Sequence, residues 1–135
     1  MSALETDVLR EVWSLGAARI AELVEQLNSK RPESPIQRGT VHVLLRRLEE
    51  KGWIEREKEG RSFIYTATIS EQRGIAEIAS EFGEQVFDGS PVALVQSLVD
   101  SRGLKKRDIE QLRSLLDDAE NKLKRKPKSN IRRKK

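Results

Sequence analysis

With 135 residues, of which 36% are hydrophobic and 36% charged, the chain can build one domain of ordinary size, or a small domain with an appendage, around a modest core. It contains no cysteine, which excludes disulfides, thiolate metal sites and cysteine nucleophiles together. No apolar run approaches the roughly 20 residues that span a bilayer, and the opening MSALETD lacks the basic-then-apolar order of a signal peptide, so a cytoplasmic protein without membrane insertion is expected.

The net charge of +4 conceals an asymmetry. Residues 122–135 carry nine basic side chains (Lys122, Lys124, Arg125, Lys126, Lys128, Arg132, Arg133, Lys134 and Lys135) and no acid, and taking those nine from +4 leaves residues 1–121 at −5. The basic balance belongs to the tail, so an argument for nucleic-acid binding must rest on where charges sit within the body.

Leu4, Val8, Val12 and Leu15 recur at helical spacing, and Gly16 follows as a stop. A second amphipathic pattern, Ile20, Leu23, Val24 and Leu27, ends near Asn28. Ser29–Pro35 holds two prolines and reads as a turn or loop that keeps helix two from merging with helix three. The third helix is predicted over Gln37–Lys51, closed by Gly52, with Val41, Leu44, Leu45 and Leu48 as its buried stripe. At about 100° per residue, Gly39, Val43, Arg46 and Glu50 point the opposite way, flanked by Thr40, His42 and Arg47.

Two strand-like runs follow, Trp53–Lys58 and Arg61–Ala67, with Glu59-Gly60 between them. A two-residue turn there pairs Lys58 with Arg61, Arg56 with Phe63 and Ile54 with Tyr65. All six then share one face, apolar at the base and cationic at the tip. Two opposed like charges call for an anion nearby, and a phosphate would supply it. A helix apolar on one side and basic on the other, followed by a basic-tipped hairpin, is the pattern of a winged helix-turn-helix. There the helix enters the major groove and the wing lies along the backbone.

Beyond the hairpin the pattern is helical again. Ile75, Ile78, Phe82 and Val86 make a fourth helix, and Asp88-Gly89-Ser90-Pro91 marks a boundary, with Ser90 as N-cap and Pro91 at the first helical position. Val95, Leu98 and Val99 follow until Gly103. The last helix spaces Ile109, Leu112, Leu116, Ala119 and Leu123 in alternating steps of three and four, an a/d seam. Each of these three helices exposes one apolar stripe and none can enclose a core alone. They read as a homodimerisation arm, with Phe82, Phe87, Leu94, Leu98, Ile109, Leu112 and Leu116 as candidate interface residues. The expected fold is mainly α with a small β-hairpin wing. It comprises a winged-helix domain over 1–69, a helical dimerisation domain over 70–121 and a disordered basic tail over 122–135.

The candidate contacts to double-stranded DNA are Arg38, Gly39, Thr40, His42, Val43, Arg46 and Arg47 on the helix and Lys58 and Arg61 on the wing. Arg46 and Arg47 opposite an apolar stripe and ahead of a wing favour DNA contact over a merely solvated face. An arginine there bridges a guanine or clamps a phosphate, and the sequence does not choose between them. His42 is the only histidine, so a zinc site within one chain lacks ligands, and it is either a groove contact or an ordinary surface residue. Trp13 and Trp53 read as packing residues. No nucleophile–base pair, phosphate-cradling glycine loop or carboxylate dyad stands out, so neither catalysis nor a cofactor is expected. A competing reading is a winged-helix protein-interaction module whose basic tail alone touches nucleic acid, without sequence preference.

In order and spacing, several features resemble the penicillinase-repressor (BlaI/MecI-type) family of bacterial winged-helix repressors. These are Val12-Trp13, Thr40-Val41, Leu44-Leu45, Arg47-Leu48, Lys51-Gly52, Gly60-Arg61, Tyr65, Phe87-Asp88-Gly89-Ser90 and the seam from Ile109 to Leu116. The resemblance reaches about Asn121. It implies an N-terminal winged helix, a C-terminal dimerisation domain, repression at operators with dyad symmetry, and relief through a membrane metalloprotease sensor that leads to cleavage in the dimerisation helix. That bond falls at Ser97-Leu98, where the best-known members carry Asn-Phe. Ile36-Gln37 replaces the Trp-Ser that opens the family's recognition helix, and the cysteine cluster of the copper-responsive branch is absent.

Overall fold

The computed structural model describes residues 1–125, so the stretch 126–135 of the basic tail lies outside the described residues. Six helices and three short strands follow one another: α1 (Ala3–Leu15), β1 (Ala17–Ala18), α2 (Ile20–Ser29), α3 (Arg38–Glu50), β2 (Ile54–Glu59), β3 (Ser62–Ala67), α4 (Glu71–Phe87), α5 (Pro91–Arg102) and α6 (Lys106–Arg125). They form two compact units, the first spanning Met1–Phe82 and the second beginning at Gly83. No described helix is long and apolar enough to cross a membrane.

The first unit is built around α1. Ser2 caps it in a reciprocal box: the Ser2 hydroxyl accepts from the Glu5 N–H at 3.1 Å, and the Glu5 carboxylate accepts from the Ser2 N–H at 2.9 Å. Gly16 ends the helix at φ +81, a conformation that costs a side-chain-bearing residue steric strain. Val8, Leu9 and Val12 of α1 are fully buried against Leu23 and Leu27 of α2, Val41, Leu44, Leu45 and Leu48 of α3, and Ile54 and Tyr65 of the sheet. The four-residue stripe expected on α3 is the stripe that is buried.

Charge reinforces this hub. Glu5 and Glu11 of α1 are both buried. Lys51, just past α3, donates to Glu5 at 2.8 Å, and Lys30, just past α2, donates to Glu11 at 2.6 Å. Arg31 adds a longer pair to Asp7 at 3.6 Å. Acids of one helix thus hold the C-terminal ends of two others, where helix dipoles also favour cations.

The hairpin register departs from the expected one. Lys58 pairs with Phe63, Arg56 with Tyr65, Ile54 with Ala67, and Glu59 with Ser62. The turn is therefore Gly60-Arg61, not Glu59-Gly60, and Arg61 lies in the turn instead of opposite Lys58. The reason is turn chemistry. A Glu59-Gly60 turn of the I′ type requires positive φ at a glutamate, whereas the observed turn places Gly60 at φ +64 and leaves Arg61 at negative φ. A slip of two residues keeps every side chain on its expected face, but it removes the opposed cations. A strand also appears that the sequence pattern did not announce: Ala17-Ala18 pairs antiparallel with Tyr65-Thr66, giving a sheet of order β1-β3-β2.

The first turns of α4 belong to the first unit. Gly74 is buried, and a Cβ there would lie 2.6 Å from Trp13 Cη2 and 3.3 Å from Trp53 Cζ3. Trp13 Nε1 donates to the Ile69 carbonyl at 2.9 Å. Both tryptophans are therefore packing residues, as expected. In the second unit Ser90 caps α5 by accepting from the Ala93 N–H at 3.0 Å, Pro91 opens the helix, and Gly103 closes it at φ +72. Helix α6 runs to Arg125, so Lys122, Lys124 and Arg125 of the basic segment form its last turn. Among the described residues no hydrophobic side chain after Tyr65 is buried.

The Lys51 ammonium holds the Glu5 carboxyl below its ordinary value of 4.5, helped by the Ser2 N–H and opposed by desolvation. A carboxyl depressed in the folded state binds fewer protons there than in the unfolded chain. Its stabilisation is therefore complete above the ordinary carboxylate range and is lost as pH falls through the depressed value. Glu5→Gln is expected to flatten the acid limb of stability below about pH 4.5, and Lys51→Met to cost about 1–3 kcal/mol at neutral pH by leaving the carboxylate without its partner. Urea unfolding from pH 3 to 7 checks both; an unchanged acid limb in Glu5→Gln would refute the assignment.

Candidate nucleic-acid interface

Helix α3 begins without a side-chain cap: Gln37 makes no capping hydrogen bond, and no acid lies in the first turn. Its start is fixed from behind instead. The Asn28 side chain donates to the Ile36 carbonyl at 3.0 Å and accepts from the Ile36 N–H at 2.7 Å, which clamps the loop to α2. Ile36 itself is buried. No side-chain cap and no acid of its own first turn compensate the positive end of the α3 dipole, a favourable setting for an anion.

All nine residues expected at the interface are exposed. Arg38, Gly39, Thr40, His42, Val43, Arg46 and Arg47 lie along the outer side of α3, Lys58 lies on β2, and Arg61 lies at the hairpin turn. No acidic residue occurs in α3 before Glu49. Three arginines and His42 thus share a helix surface whose negative charge is confined to its last turn.

Charge on the hairpin is sorted by face. Alternation along β2 puts Ile54, Arg56 and Lys58 on the side that continues into the core, and Glu55, Glu57 and Glu59 on the other. Arg56 and Tyr65 line an open groove together with His42, Arg46, Glu49 and Glu50 of α3. The cationic side of the hairpin therefore adjoins the cationic helix, while the acidic side faces away from that groove.

Two arginines outside the expected set organise this surface. Arg19, at the start of α2, is ion-paired with Glu59 and donates through Nε to Ser62 Oγ at 3.2 Å, tying the end of the hairpin to the helix-turn-helix. Arg56 is ion-paired with Glu49, its Nε 3.3 Å from the carboxylate, and its guanidinium carbon lies 4.4 Å from the Phe63 ring centroid. Neither was legible as a site residue, because each is ion-paired with a residue of another element, Arg19 with Glu59 of β2 and Arg56 with Glu49 of α3. Among the described residues no group of His, Asp and Glu is arranged to hold a metal ion.

Comparison with known proteins agrees with this architecture. A protein of Latilactobacillus sakei, described as an uncharacterised 16.5 kDa protein in the ptsI 3′ region, is 36% identical over 112 residues, covering 83% of this chain and 75% of that one. The methicillin resistance regulatory protein MecI of Mammaliicoccus sciuri is 28% identical over 117 residues, covering 87% of this chain and 93% of MecI. Wild-type MarR of E. coli in its apo form shares the fold, with a TM-score of 0.51 at 22% identity over 88% of this chain and 77% of MarR. The family model described as penicillinase repressor matches residues 1–118, and with that span and those relatives the chain belongs to the penicillinase repressor family.

Proposed function

We propose that this protein is a DNA-binding transcriptional repressor, not an enzyme, that acts as a homodimer on an operator with dyad symmetry. The observation that carries the reading is the outer side of α3, where Arg38, His42, Arg46 and Arg47 stand exposed with no acid before Glu49. In this reading α3 enters the major groove, Lys58 and Arg61 meet the backbone, and Arg46 contacts a base. Arg46→Ala is then expected to narrow the gap between operator and random DNA by about 1–3 kcal/mol. Titration of both duplexes at fixed salt checks this. Equal losses on the two duplexes would remove Arg46 from the base-reading set. Unchanged binding to both would favour the interaction-module reading, in which the tail alone touches nucleic acid.

The dimer is placed in the arm formed by α4, α5 and α6. Supporting it, Val86, Val95, Leu98, Ile109, Leu116 and Leu123 are all at least 39% exposed in a single chain, more apolar surface than an isolated arm tolerates in water. The seam residue Leu112 is expected to sit in the interface. Leu112→Asp should convert a dimer to a monomer in light scattering at tens of micromolar, because it would bury an unpaired charge, and should weaken operator binding by uncoupling the half-sites. A monomeric wild-type chain at that concentration would refute the dimer.

Relief of repression is assigned to cleavage at Ser97-Leu98 through a membrane metalloprotease sensor system. Both residues are exposed within α5, so cutting requires that helix to unwind locally. The cut would detach α6 from the arm while leaving the first unit whole. An intact chain, by mass, in fully derepressed cells would exclude it.

A further inference from the structure

The groove between α3 and the hairpin holds an arginine in an unusual state of preparation. Arg56 is fixed on two sides. Its Nε lies 3.3 Å from a Glu49 carboxylate oxygen as an ion pair, and its guanidinium carbon lies over the Phe63 ring, the diagonal neighbour of Arg56 across the strand pair. Among the described residues, neither terminal amino group of the guanidinium has a hydrogen-bond or ion-pair partner, and the side chain is 45% exposed. An arginine held by an ion pair and one ring face keeps its terminal donors available as a planar fork, the geometry that suits a phosphate.

The surroundings say which way that fork can serve. His42 and Arg46 line the same groove, about two turns and one turn before Glu49 on the stripe of α3 that faces the hairpin. Glu49 and Glu50 are the groove's acids. An acid next to a polyanion repels it, so the pairing of Glu49 with Arg56 carries a consequence. It cancels the repulsion locally and spends a carboxylate on orientation.

We propose that Arg56 is a DNA-phosphate contact in the groove between the α3 helix and the hairpin, with Glu49 and Phe63 as its positioning residues. This rests on the reading of α3 and the hairpin as a DNA-binding surface and adds a contact away from the hairpin tip. The phosphate it meets lies between the segment read by α3 and the segment touched by Lys58 and Arg61, so Arg56 couples the angle of the wing to the seating of the helix. Lysine does not substitute for it, since an ammonium cannot both lie on the ring and present a planar fork.

The test is a double-mutant cycle on the full-length protein, binding two fluorescent duplexes, one from its own promoter region and one of scrambled sequence, over a range of salt. Arg56→Ala is expected to weaken both duplexes several-fold and to lower the salt slope by about 0.9, one phosphate contact. The deciding variant is Arg56→Ala combined with Glu49→Gln, which removes the acid that Arg56 would otherwise neutralise. If Arg56 contacts phosphate, the double variant stays weaker than wild type with the lower slope. If Arg56 only cancels Glu49, the double variant binds like wild type, and the proposal is overturned. Glu49→Gln alone should weaken binding although it removes a negative charge, yet strengthen it when Arg56 is already alanine. The same strengthening in both backgrounds overturns the positioning role. Wild-type protein that binds neither duplex overturns this proposal together with the DNA-binding reading, whereas operator binding that responds to Arg46→Ala but not to Arg56→Ala overturns this one alone. Unchanged thermal unfolding of these surface variants keeps the comparison free of folding effects.

Discussion

Two carboxylates buried in α1 organise the first unit. An unpaired buried carboxylate is strongly disfavoured, and neither Glu5 nor Glu11 is left unpaired. Each is met by a lysine that sits immediately after another helix, Lys51 after α3 and Lys30 after α2. The lysine heads remain partly in water while the carboxylates do not, so only half of each pair bears the full desolvation cost. The same helix supplies Val8, Leu9 and Val12 to the core. Hydrophobic burial fixes which sides of α2 and α3 turn inward, and the ion pairs fix where those helices end along α1. The orientation of α3, and with it the direction in which Arg46 projects, follows from both.

The hairpin is positioned by a second layer of contacts that reach across from the helices. Arg19 ties its end to the start of α2, and Glu49 reaches from α3 to Arg56 on β2. These pairs are exposed, and each contributes little to stability. Their consequence is angular. A two-stranded hairpin alone is marginal in water, and here a third strand, Ala17-Ala18, braces its inner half. What reaches solvent is a surface with its cations on the α3 side and its glutamates on the other. Such sorting favours one orientation toward a polyanion and penalises the reverse.

Much of this was legible in the sequence, and the exceptions have physical causes. The helices announced themselves through periodicity and punctuation: Val41, Leu44, Leu45 and Leu48 mark a stripe, Gly16 and Gly103 close helices at positive φ, and Ser90-Pro91 opens one. Strand β1 did not, because two residues are too few for alternation to register. The hairpin register was missed by two residues because Glu59-Gly60 and Gly60-Arg61 are both plausible turns by composition, and only the sign of φ at the first position separates them. Face assignment survived that error; pair assignment did not. The pairs Glu5–Lys51 and Arg19–Glu59 join residues more than thirty-five positions apart, and no local pattern reports such contacts. Arg56 went unselected for a different reason: Glu49 is near in sequence but lies on α3, and the pair forms only once the helix and the hairpin pack together.

The central claim is that one continuous surface, the outer side of α3 and the cationic side of the hairpin, meets DNA while the acidic side of the sheet does not. Backbone-amide NMR of the isotopically labelled protein, titrated with a duplex from its own promoter region, tests this most directly. The account predicts the largest shifts over residues 37–47 and 56–62, with small ones at Glu25 and Val24 on α2 and throughout the buried part of α1. Shifts confined to residues beyond Lys122, with α3 and the hairpin unmoved, would contradict it.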